Sequence, residues 1–563
     1  MSYFTTSLMP TGNRLVTDAL CPAAPMPASP YLTLPSVQVE PTFQALGWDE
    51  TEVDASARTV HWIVGAPAAH KNKNNTAAAA ADSNTSTAEE EDRPSFWLQM
   101  DNGDQYQLSY TENGTSIAQK GEFKSPEDRP LILYANATDS GIMSSNTTIT
   151  TTTDAVPFLP MEPPPHSTSS SSYVLSQYSA AVPTPNGGWL FLQQTTASAN
   201  PTPVFQITQL SPNGTDVTHE SLRDGRIIDP LPDAQFSCSN GGGAAQKKRW
   251  ALYTHATNVY DHGVLGDDWE GLALTVLQWN AATHQVEFLT QVNLEDGEDD
   301  EEGTVFEGLT PMWANVQGFG GDDDDIVTTV SNRAVGARMR VYSVVKGDDD
   351  PIRLSILAQA PAIGLGGRWL HQLAVGPFST DGRVVELVEI RTPHIGGMVR
   401  YYRLGSGELE LVASSTSQYT SHDIGKRNLD RVVVGDFNGD GIPELVVQTQ
   451  DKTSLVGLQR ANDANDEGIG GVKEVWSIPL PSPVYSNLAV SCSNSDGTME
   501  ILFATESLEL VKIQFAPAMI HDEDDEESLV QRSGASSSSS GAAAARWWSL
   551  SKLVLCLPLV WWD

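Results

Sequence analysis

A unit of about 60 residues recurs in the second half of the chain, and each copy carries an acidic residue followed by two apolar ones. The acids are Asp325, Glu386, Glu444 and Glu500, so the spacings between them are 61, 58 and 56 residues. Periods of this length are typical of repeat proteins, in which one unit cannot bury its faces until neighbouring units pack on them. The repeat therefore predicts a series of similar units packed side by side.

The most complete unit, residues 431–447, has an acidic loop between two apolar runs. Oxygen-bearing groups stand at relative positions 1, 3, 5, 7 and 9 of the loop, namely Asp436, Asn438, Asp440, the backbone carbonyl of Ile442, and Glu444. This all-oxygen set suits calcium. Gly439 and Gly441 allow a tight loop, because glycine tolerates positive φ. An EF-hand needs Glu at position 12, where this chain has Val447, and the flanking runs are β-branched, so we predict a calcium loop inside a β-hairpin.

This spacing resembles the FG-GAP or VCBS repeat, the calcium-loop unit of integrin-α-type β-propellers. The sister units are less complete, since Pro377 and Cys492 stand where the first ligand would be. With the RTPHIGG motif at 391–397, residues 250–515 look like an uncharacterised branch of FG-GAP repeat proteins found in bacteria and fungi. The resemblance implies blades of four antiparallel strands, and that branch has no established activity to carry over.

The strand patterns predict an all-β chain, because no amphipathic helix of useful length appears. We predict a β-propeller over residues 36–515, interrupted by low-complexity inserts near 67–92, 137–172, 290–303 and 462–472. The remaining length corresponds to about seven blades, with six and eight as the alternatives. Residues 1–35 form an N-terminal segment that is a candidate for the ring-closing strand. Residues 516–563 carry acidic, Ser and Ala runs and a short apolar end, and we predict a disordered tail.

The net charge of −38 comes from 71 acidic and 33 basic residues. Such a chain would be repelled by nucleic acid and by acidic membranes, whose phosphates need clustered Lys and Arg. The apolar stretch at 553–562 is too short to span a bilayer. We therefore expect the protein to bind neither of them; its expected state is a monomer, and its expected partner is a protein or a glycan.

The compartment stays open. The first residues, MSYFTTSLMP, lack a basic start followed by an apolar core, so we expect no signal peptide. Six glycosylation sequons would nevertheless suit an extracellular protein, as would the calcium loop; they begin at Asn74, Asn84, Asn113, Asn136, Asn146 and Asn213.

Four turn-like motifs contain a histidine, namely those of His262, His371, His394 and His422. Three of these residues, His262, His394 and His422, are the candidate catalytic residues. In a propeller, loops of different blades converge at one mouth of the central channel. Three imidazoles there could hold a transition metal, or one could act as a general base. The simpler interpretation is that these histidines cap turns, because the chain has no H-x-H or H-E-x-x-H pair.

Two classes of function remain. The first is a calcium-stabilised recognition module that binds a protein or a glycan through its loops, which fits the repeats and the absence of catalytic signatures. The second is a propeller enzyme, a carbohydrate lyase or hydrolase that uses the histidines as metal ligands or acid/base groups. Ring nitrogens more than ~8 Å apart would exclude the metal version, because imidazole nitrogens bind zinc at ~2.0–2.1 Å.

Overall fold

The computed structural model describes most of the second half of the chain and several segments before it. The described ranges are 36–46, 179, 182–195, 204–211, 215–239, 248–260, 262–296, 303–318, 325–345, 351–379, 384–426, 429–461, 469–492 and 499–515. The structure also describes the strands given below that lie outside these ranges. The predicted tail at 516–563 lies outside the described residues.

Strands form nearly all of the regular structure. Those before residue 240 are β1 (Tyr3–Phe4), β2 (Arg14–Leu15), β3 (Asp18–Cys21), β4 (Ser36–Pro41), β5 (Val60–Ala66), β6 (Ser95–Met100), β7 (Gln105–Tyr110), β8 (Ser116–Lys120), β9 (Leu131–Ile132), β10 (Leu159–Pro160), β11 (Val174–Leu175), β12 (Val182–Pro183), β13 (Trp189–Thr195), β14 (Val204–Leu210) and β15 (Ser237–Ser239).

The strands after residue 240 are longer on average. They are β16 (Arg249–Thr257), β17 (Glu270–Asn280), β18 (Gln285–Asn293), β19 (Val305–Phe306), β20 (Met312–Ala314), β21 (Asp325–Asn332), β22 (Gly336–Val345), β23 (Arg353–Gln359), β24 (Leu370–Gly376), β25 (Glu386–Arg391), β26 (Met398–Leu404), β27 (Leu409–Ser414), β28 (Tyr419–Thr420), β29 (Val433–Gly435), β30 (Glu444–Thr449), β31 (Ser454–Arg460), β32 (Gly470–Pro479), β33 (Ala489–Cys492), β34 (Met499–Ala504) and β35 (Glu509–Phe515).

Helices are short in the described residues. They are α1 (Thr42–Ala45), α2 (Glu220–Arg223) and a single 3₁₀ turn, Leu294–Asp296. None of them is long and apolar enough to cross a membrane. The predicted all-β class is confirmed.

Most strands belong to groups of four in which chain neighbours pair antiparallel. The groups are β5–β8, β15–β18, β20–β23, β24–β27 and β29–β32, and in a further group β13 pairs with β11, β12 and β14. Two links merge consecutive groups into larger sheets. Strand β19 pairs with both β17 and β21, and β27 runs parallel to β32.

The last group takes its fourth strand from the other end of the chain. Strands β33, β34 and β35 pair in order, and β4 then adds antiparallel to β35, with Ser36 opposite Gln514. Strand β4 thus begins directly after residues 1–35, the segment predicted to contain a ring-closing strand. Within that segment, β2 runs parallel to β24.

The repeated acids occupy one structural position. Asp325, Glu386 and Glu444 are the first residues of β21, β25 and β30, and Glu500 is the second residue of β34. Each of these strands is the second of its group of four. The sequence period therefore corresponds to one group of strands.

Buried clusters join consecutive groups. Val327 packs in one cluster with Leu387, Val388 packs in another with Leu445, and a third cluster joins Val433 to strands β34 and β35. In each case the apolar residues of neighbouring groups meet face to face, as expected for units that cannot bury their faces alone. The core lies between the groups.

Two local predictions can be compared with the structure. A hairpin over 95–100 and 105–110 is expected from two strand-like runs that flank a D-N-G-D turn, and β6 and β7 pair with those bounds.

The insert predicted at 290–303 begins later than expected, because β18 continues to Asn293, which pairs with Ala273. Alternation of apolar and polar residues persists up to the acidic run. The inserts near 67–92 and 137–172 lie outside the described residues, except for β10, and β32 begins at Gly470, within the insert placed at 462–472.

Candidate metal centre and histidine cluster

The acidic loop joins β29 to β30 in a tight hairpin. Gly435 pairs with Glu444, so the strands close at the two ends of the loop. Gly439 and Gly441 have φ of 74° and 84°, in the left-handed region that favours glycine. These two glycines let residues 436–443 curl back over the start of β30.

Three carboxylates meet in this loop. Asp436, Asp440 and Glu444 each offer an oxygen within 4.8 Å of the others. Backbone groups orient two of them, because the N–H of Gly441 donates to Asp436 Oδ2 (2.8 Å) and the N–H of Phe437 donates to Glu444 Oε2 (2.7 Å). Asp436 Oδ1 is buried and has no hydrogen-bond partner among the described residues. The three residues could hold a metal ion.

The loop concentrates negative charge in a place with little water. Burial raises the pKa of Asp436 to about 7, and burial, followed by the nearby Asp436 and Asp440, raises the pKa of Glu444. Glu444 is fully buried. In the part of the chain that the structure describes, no Lys or Arg forms an ion pair with any of the three carboxylates. Their charge must therefore be neutralised by a bound cation or by protonation.

A glutamine from the next strand sits among these oxygens. Gln459 Nε2 lies 2.9 and 2.8 Å from the two carboxylate oxygens of Asp440, 3.0 Å from the Ile442 carbonyl oxygen and 2.8 Å from Glu444 Oε1. The Ile442 carbonyl thus faces the same point as the carboxylates of Asp440 and Glu444, in agreement with its predicted place at position 7 of the loop.

The remaining predicted ligand, Asn438, forms hydrogen bonds with Asp440. Its Oδ1 accepts a hydrogen bond from the N–H of Asp440 (2.8 Å), and its Nδ2 donates to Asp440 Oδ2 (3.2 Å). Asn438 therefore shapes the loop and orients Asp440.

The sister acids are satisfied in other ways. Glu386 Oε1 accepts from Arg403 Nε (2.8 Å) and from Arg460 Nη1 (2.7 Å), so two guanidinium groups neutralise it. Glu500 pairs with Lys512 at 3.4 Å. Asp325 accepts from the N–H of Val316 (3.0 Å) and also bonds Ser343.

The histidines gather at the other end of the strands. His371 is the second residue of β24, His394 lies in the turn between β25 and β26, and His422 follows β28. In an antiparallel group the turn from the second to the third strand lies opposite the turn from the first to the second. His394 lies in a turn from the second to the third strand, and the acidic loop is a turn from the first to the second strand. The two sites are therefore at opposite ends of the strands.

Two of the predicted histidines are in direct contact. His394 Nε2 and His422 Nε2 are 3.2 Å apart, and Ser421 Oγ lies 3.3 Å from His422 Nδ1 and 2.9 Å from His371 Nδ1. Trp369 stacks on His394 with ring centroids 5.9 Å apart and an interplanar angle of 11°. The cluster is a chain of polar groups that leads from the partly exposed His394 to the buried His371.

Burial keeps the two imidazoles neutral. It lowers the pKa of His394 to about 4, and it lowers the pKa of His422 as well, with His371 and His394 as further causes. Neutral imidazole nitrogens are the form that binds metals or accepts a proton.

His262 does not join this pair. Its Nδ1 lies 3.3 Å from the Glu307 carboxylate. Burial lowers the pKa of His262, but the hydrogen bond and the charge of Glu307 outweigh it, so the pKa is raised. Among the described residues, no third His, Cys, Asp or Glu joins His394 and His422 with ligand atoms within 4.8 Å. His394 and His422 therefore form a pair, while His262 contacts Glu307 and lies near enough for its charge to help lower the pKa of His394.

Contacts from the next group hold the histidine turns in place. Gln450 accepts from the N–H of Gly397 (2.9 Å) and donates to the Pro393 carbonyl (3.0 Å), which fixes the turn around His394. Asp423 accepts from Arg431 (2.7 Å) and from Lys452, which fixes the loop after His422.

Exposed apolar side chains stand beside this cluster in the sequence. Ile395 is 60% exposed and follows His394, Ile424 is 66% exposed and lies two residues after His422, and Leu365 is 56% exposed and precedes Trp369. Single exposed aliphatic side chains are common on protein surfaces, whereas a contiguous patch of them marks a binding site. We call these three residues the apolar rim.

Sequence reasoning did not place Gln459 or His371 in a candidate site. Gln459 carries no local signal, because its place beside Glu444 depends on strand register. His371 stands in the sequence RWLH at 368–371, where Trp369 and His371 are two apart and so fall on one face of a strand. That spacing could have placed both residues in the cluster.

Comparisons with known proteins add little to this description. The sequence matches no protein-family model, and no curated protein matches it. Among solved structures, the chain is similar to two structures of Hsv2 from Kluyveromyces lactis, with TM-scores of 0.31 and 0.30 and 8% sequence identity in both cases. The similarity covers 69% of this chain and 97% and 96% of those chains.

Proposed function

We propose that the chain is a calcium-stabilised β-propeller that acts as a recognition module for a protein or a glycan. Among the described strands there are six groups of four, counting the group completed by β4, and one further sheet in which β11 and β12 share one edge of β13. These seven units support a ring of about seven blades. Face-to-face burial between consecutive groups supports the same arrangement.

The observation that carries the calcium assignment is the uncompensated charge of the acidic loop. Glu386 has two arginines and Glu500 has a lysine, whereas Glu444 has two further carboxylates and a neutral amide. Oxygen ligands with three formal negative charges suit a hard divalent cation. Asp436, Asp440, Glu444 and the Ile442 carbonyl would hold the ion, and its role would be to staple the hairpin.

The recognition role rests on the apolar rim and the loops that carry it. The loops of Ile395 and Ile424 belong to consecutive strand groups, and Gln450 and Asp423 brace them, so they present a firm surface. Loops on a rigid scaffold are a common place for binding sites.

A binding screen tests this role. We expect the protein to bind immobilised neutral oligosaccharides or a protein ligand, and Ile395→Asp to weaken that binding at least ~10-fold, because a charge in a desolvated contact is costly. Ile469→Asp is the matched control, since Ile469 is 62% exposed and lies immediately before β32, away from the three loops of the apolar rim. Heparin should not retain the protein at physiological salt, because the chain has a net charge of −38. Retention on heparin, or equal binding by both variants, would contradict the proposal.

A second candidate function is a carbohydrate lyase or hydrolase, and the contact between His394 and His422 favours it. With zinc–nitrogen bonds of ~2.0–2.1 Å, two nitrogens 3.2 Å apart would subtend roughly 100° at the metal, close to a tetrahedral angle. A pair of protein ligands would leave positions open for water or substrate.

The metal version of this candidate predicts a zinc effect. We expect Zn²⁺ to raise the melting temperature of the wild type, and His394→Ala and His422→Ala to lose that shift, because each removes one of the two nitrogens. His284→Ala, which changes a histidine outside the cluster, should keep it. A shift that survives in both cluster variants would show that zinc binds elsewhere.

A further inference from the structure

Gln459 occupies a position that decides how each strand group neutralises its acid. Leu387 pairs with Tyr402 and Leu445 pairs with Leu458, so Glu386 and Glu444, one residue earlier, have Arg403 and Gln459 as their neighbours on the third strand. Arg403 brings a positive charge to Glu386. Gln459 brings none to Glu444.

The amide of Gln459 matches its surroundings poorly. Its nitrogen carries two hydrogens but has four oxygens within 3.0 Å, three of them from carboxylates. Its oxygen Oε1 is buried and accepts no hydrogen bond from the described residues. The point at which these oxygens converge therefore suits a cation better than an amide nitrogen.

We propose that Gln459 is a ligand of the bound cation and takes the place of that cation when the ion is absent. Half a turn of the amide exchanges Nε2 and Oε1, which removes the donor from the convergence point and directs the unsatisfied oxygen toward the ion. The third strand thus contributes a ligand from outside the loop. This inference rests on the proposed calcium site.

The charge of the side chain at position 459 decides whether this strand group depends on an ion. A basic residue at position 459 would provide internally the charge that calcium provides, as Arg403 does for Glu386. A carboxylate there would add a fourth negative charge and make the ion more necessary. Residue 459 therefore sets the calcium requirement of the whole hairpin.

The test compares Gln459→Glu and Gln459→Lys with the wild type, by calcium titration calorimetry and by melting curves in calcium and in chelator. Gln459→Glu should lower the calcium dissociation constant about tenfold, because ligand charge tunes calcium affinity, and should melt earlier than the wild type in chelator. Gln459→Lys should melt later than the wild type in chelator and lose its calcium response. Failure of the Glu variant to fold in chelator, with folding restored by calcium, would agree with the proposal.

Gln372→Glu is the matched control, because Gln372 is a buried glutamine that donates to the Thr310 carbonyl (2.9 Å) away from the loop. It should leave the calcium dissociation constant unchanged. A wild type that binds calcium, together with a Gln459→Glu variant that binds it no more tightly, would overturn the role of Gln459 alone. A wild type that does not respond to calcium would overturn the calcium site itself.

Discussion

Replacing Asp440 with alanine is expected to remove most of the stabilisation that calcium gives the wild type. A ligand that binds only the folded state adds about 2.7 kcal/mol at a hundredfold excess over its dissociation constant. Asp440 offers both carboxylate oxygens to the point where Glu444 and the Ile442 carbonyl converge. Its loss would leave two carboxylates, too few to hold the ion firmly. Melting curves of both proteins in calcium and in chelator measure the difference.

Asp451→Ala is the control for this experiment. Asp451 belongs to the same strand group, accepts hydrogen bonds from Thr449 and Thr453 in an exposed turn, and lies outside the acidic loop. Its variant should keep the full calcium response. Equal responses from wild type and Asp440→Ala would show that the stabilising ion binds somewhere else.

Replacing Glu386 with alanine is expected to destabilise the protein by about 3–5 kcal/mol, whether or not calcium is present. Glu386 is fully buried, and its Oε1 accepts from Arg403 of its own group and from Arg460 of the next. Removing the carboxylate leaves two guanidinium groups in a poorly solvated place without their common partner. Denaturant unfolding in calcium and in chelator measures the loss.

The matched control is Asp224→Ala, which breaks the exposed pair between Asp224 and Arg226. Because the Arg226 side chain of that pair is 92% exposed and its charge is screened by solvent, we expect at most a small change in stability. If Glu386→Ala were as mild as the control, or if calcium rescued it, then Glu386 would not be neutralised internally, and the contrast with Glu444 would be lost.

The sequence predicted the repeat and the loop because both depend on local order. A period near 60 residues marks the second strand of successive groups, and alternating glycines mark a loop with positive φ at Gly439 and Gly441. Asp436, Asp440 and Glu444 come together because they lie within nine residues of one another, so no tertiary packing has to be known. Their convergence could therefore be predicted from spacing alone.

Residues brought together by register could not be predicted in the same way. Gln459 reaches Glu444 only because β31 pairs with β30 in one register, and a slip of one residue would turn it to the other face. The histidines show the same limit. His262, His394 and His422 look alike as turn residues, but packing between groups decides that His394 meets His422 while His262 meets Glu307.

Calcium titration calorimetry of the chelator-treated wild-type protein tests the central claim most directly. We expect one calcium ion per chain, bound by Asp436, Asp440, Glu444 and the Ile442 carbonyl, and no comparable binding of magnesium, which demands a near-ideal octahedral shell. Absence of calcium binding at millimolar concentration would contradict the account, as would calcium binding that is unchanged in Asp440→Ala.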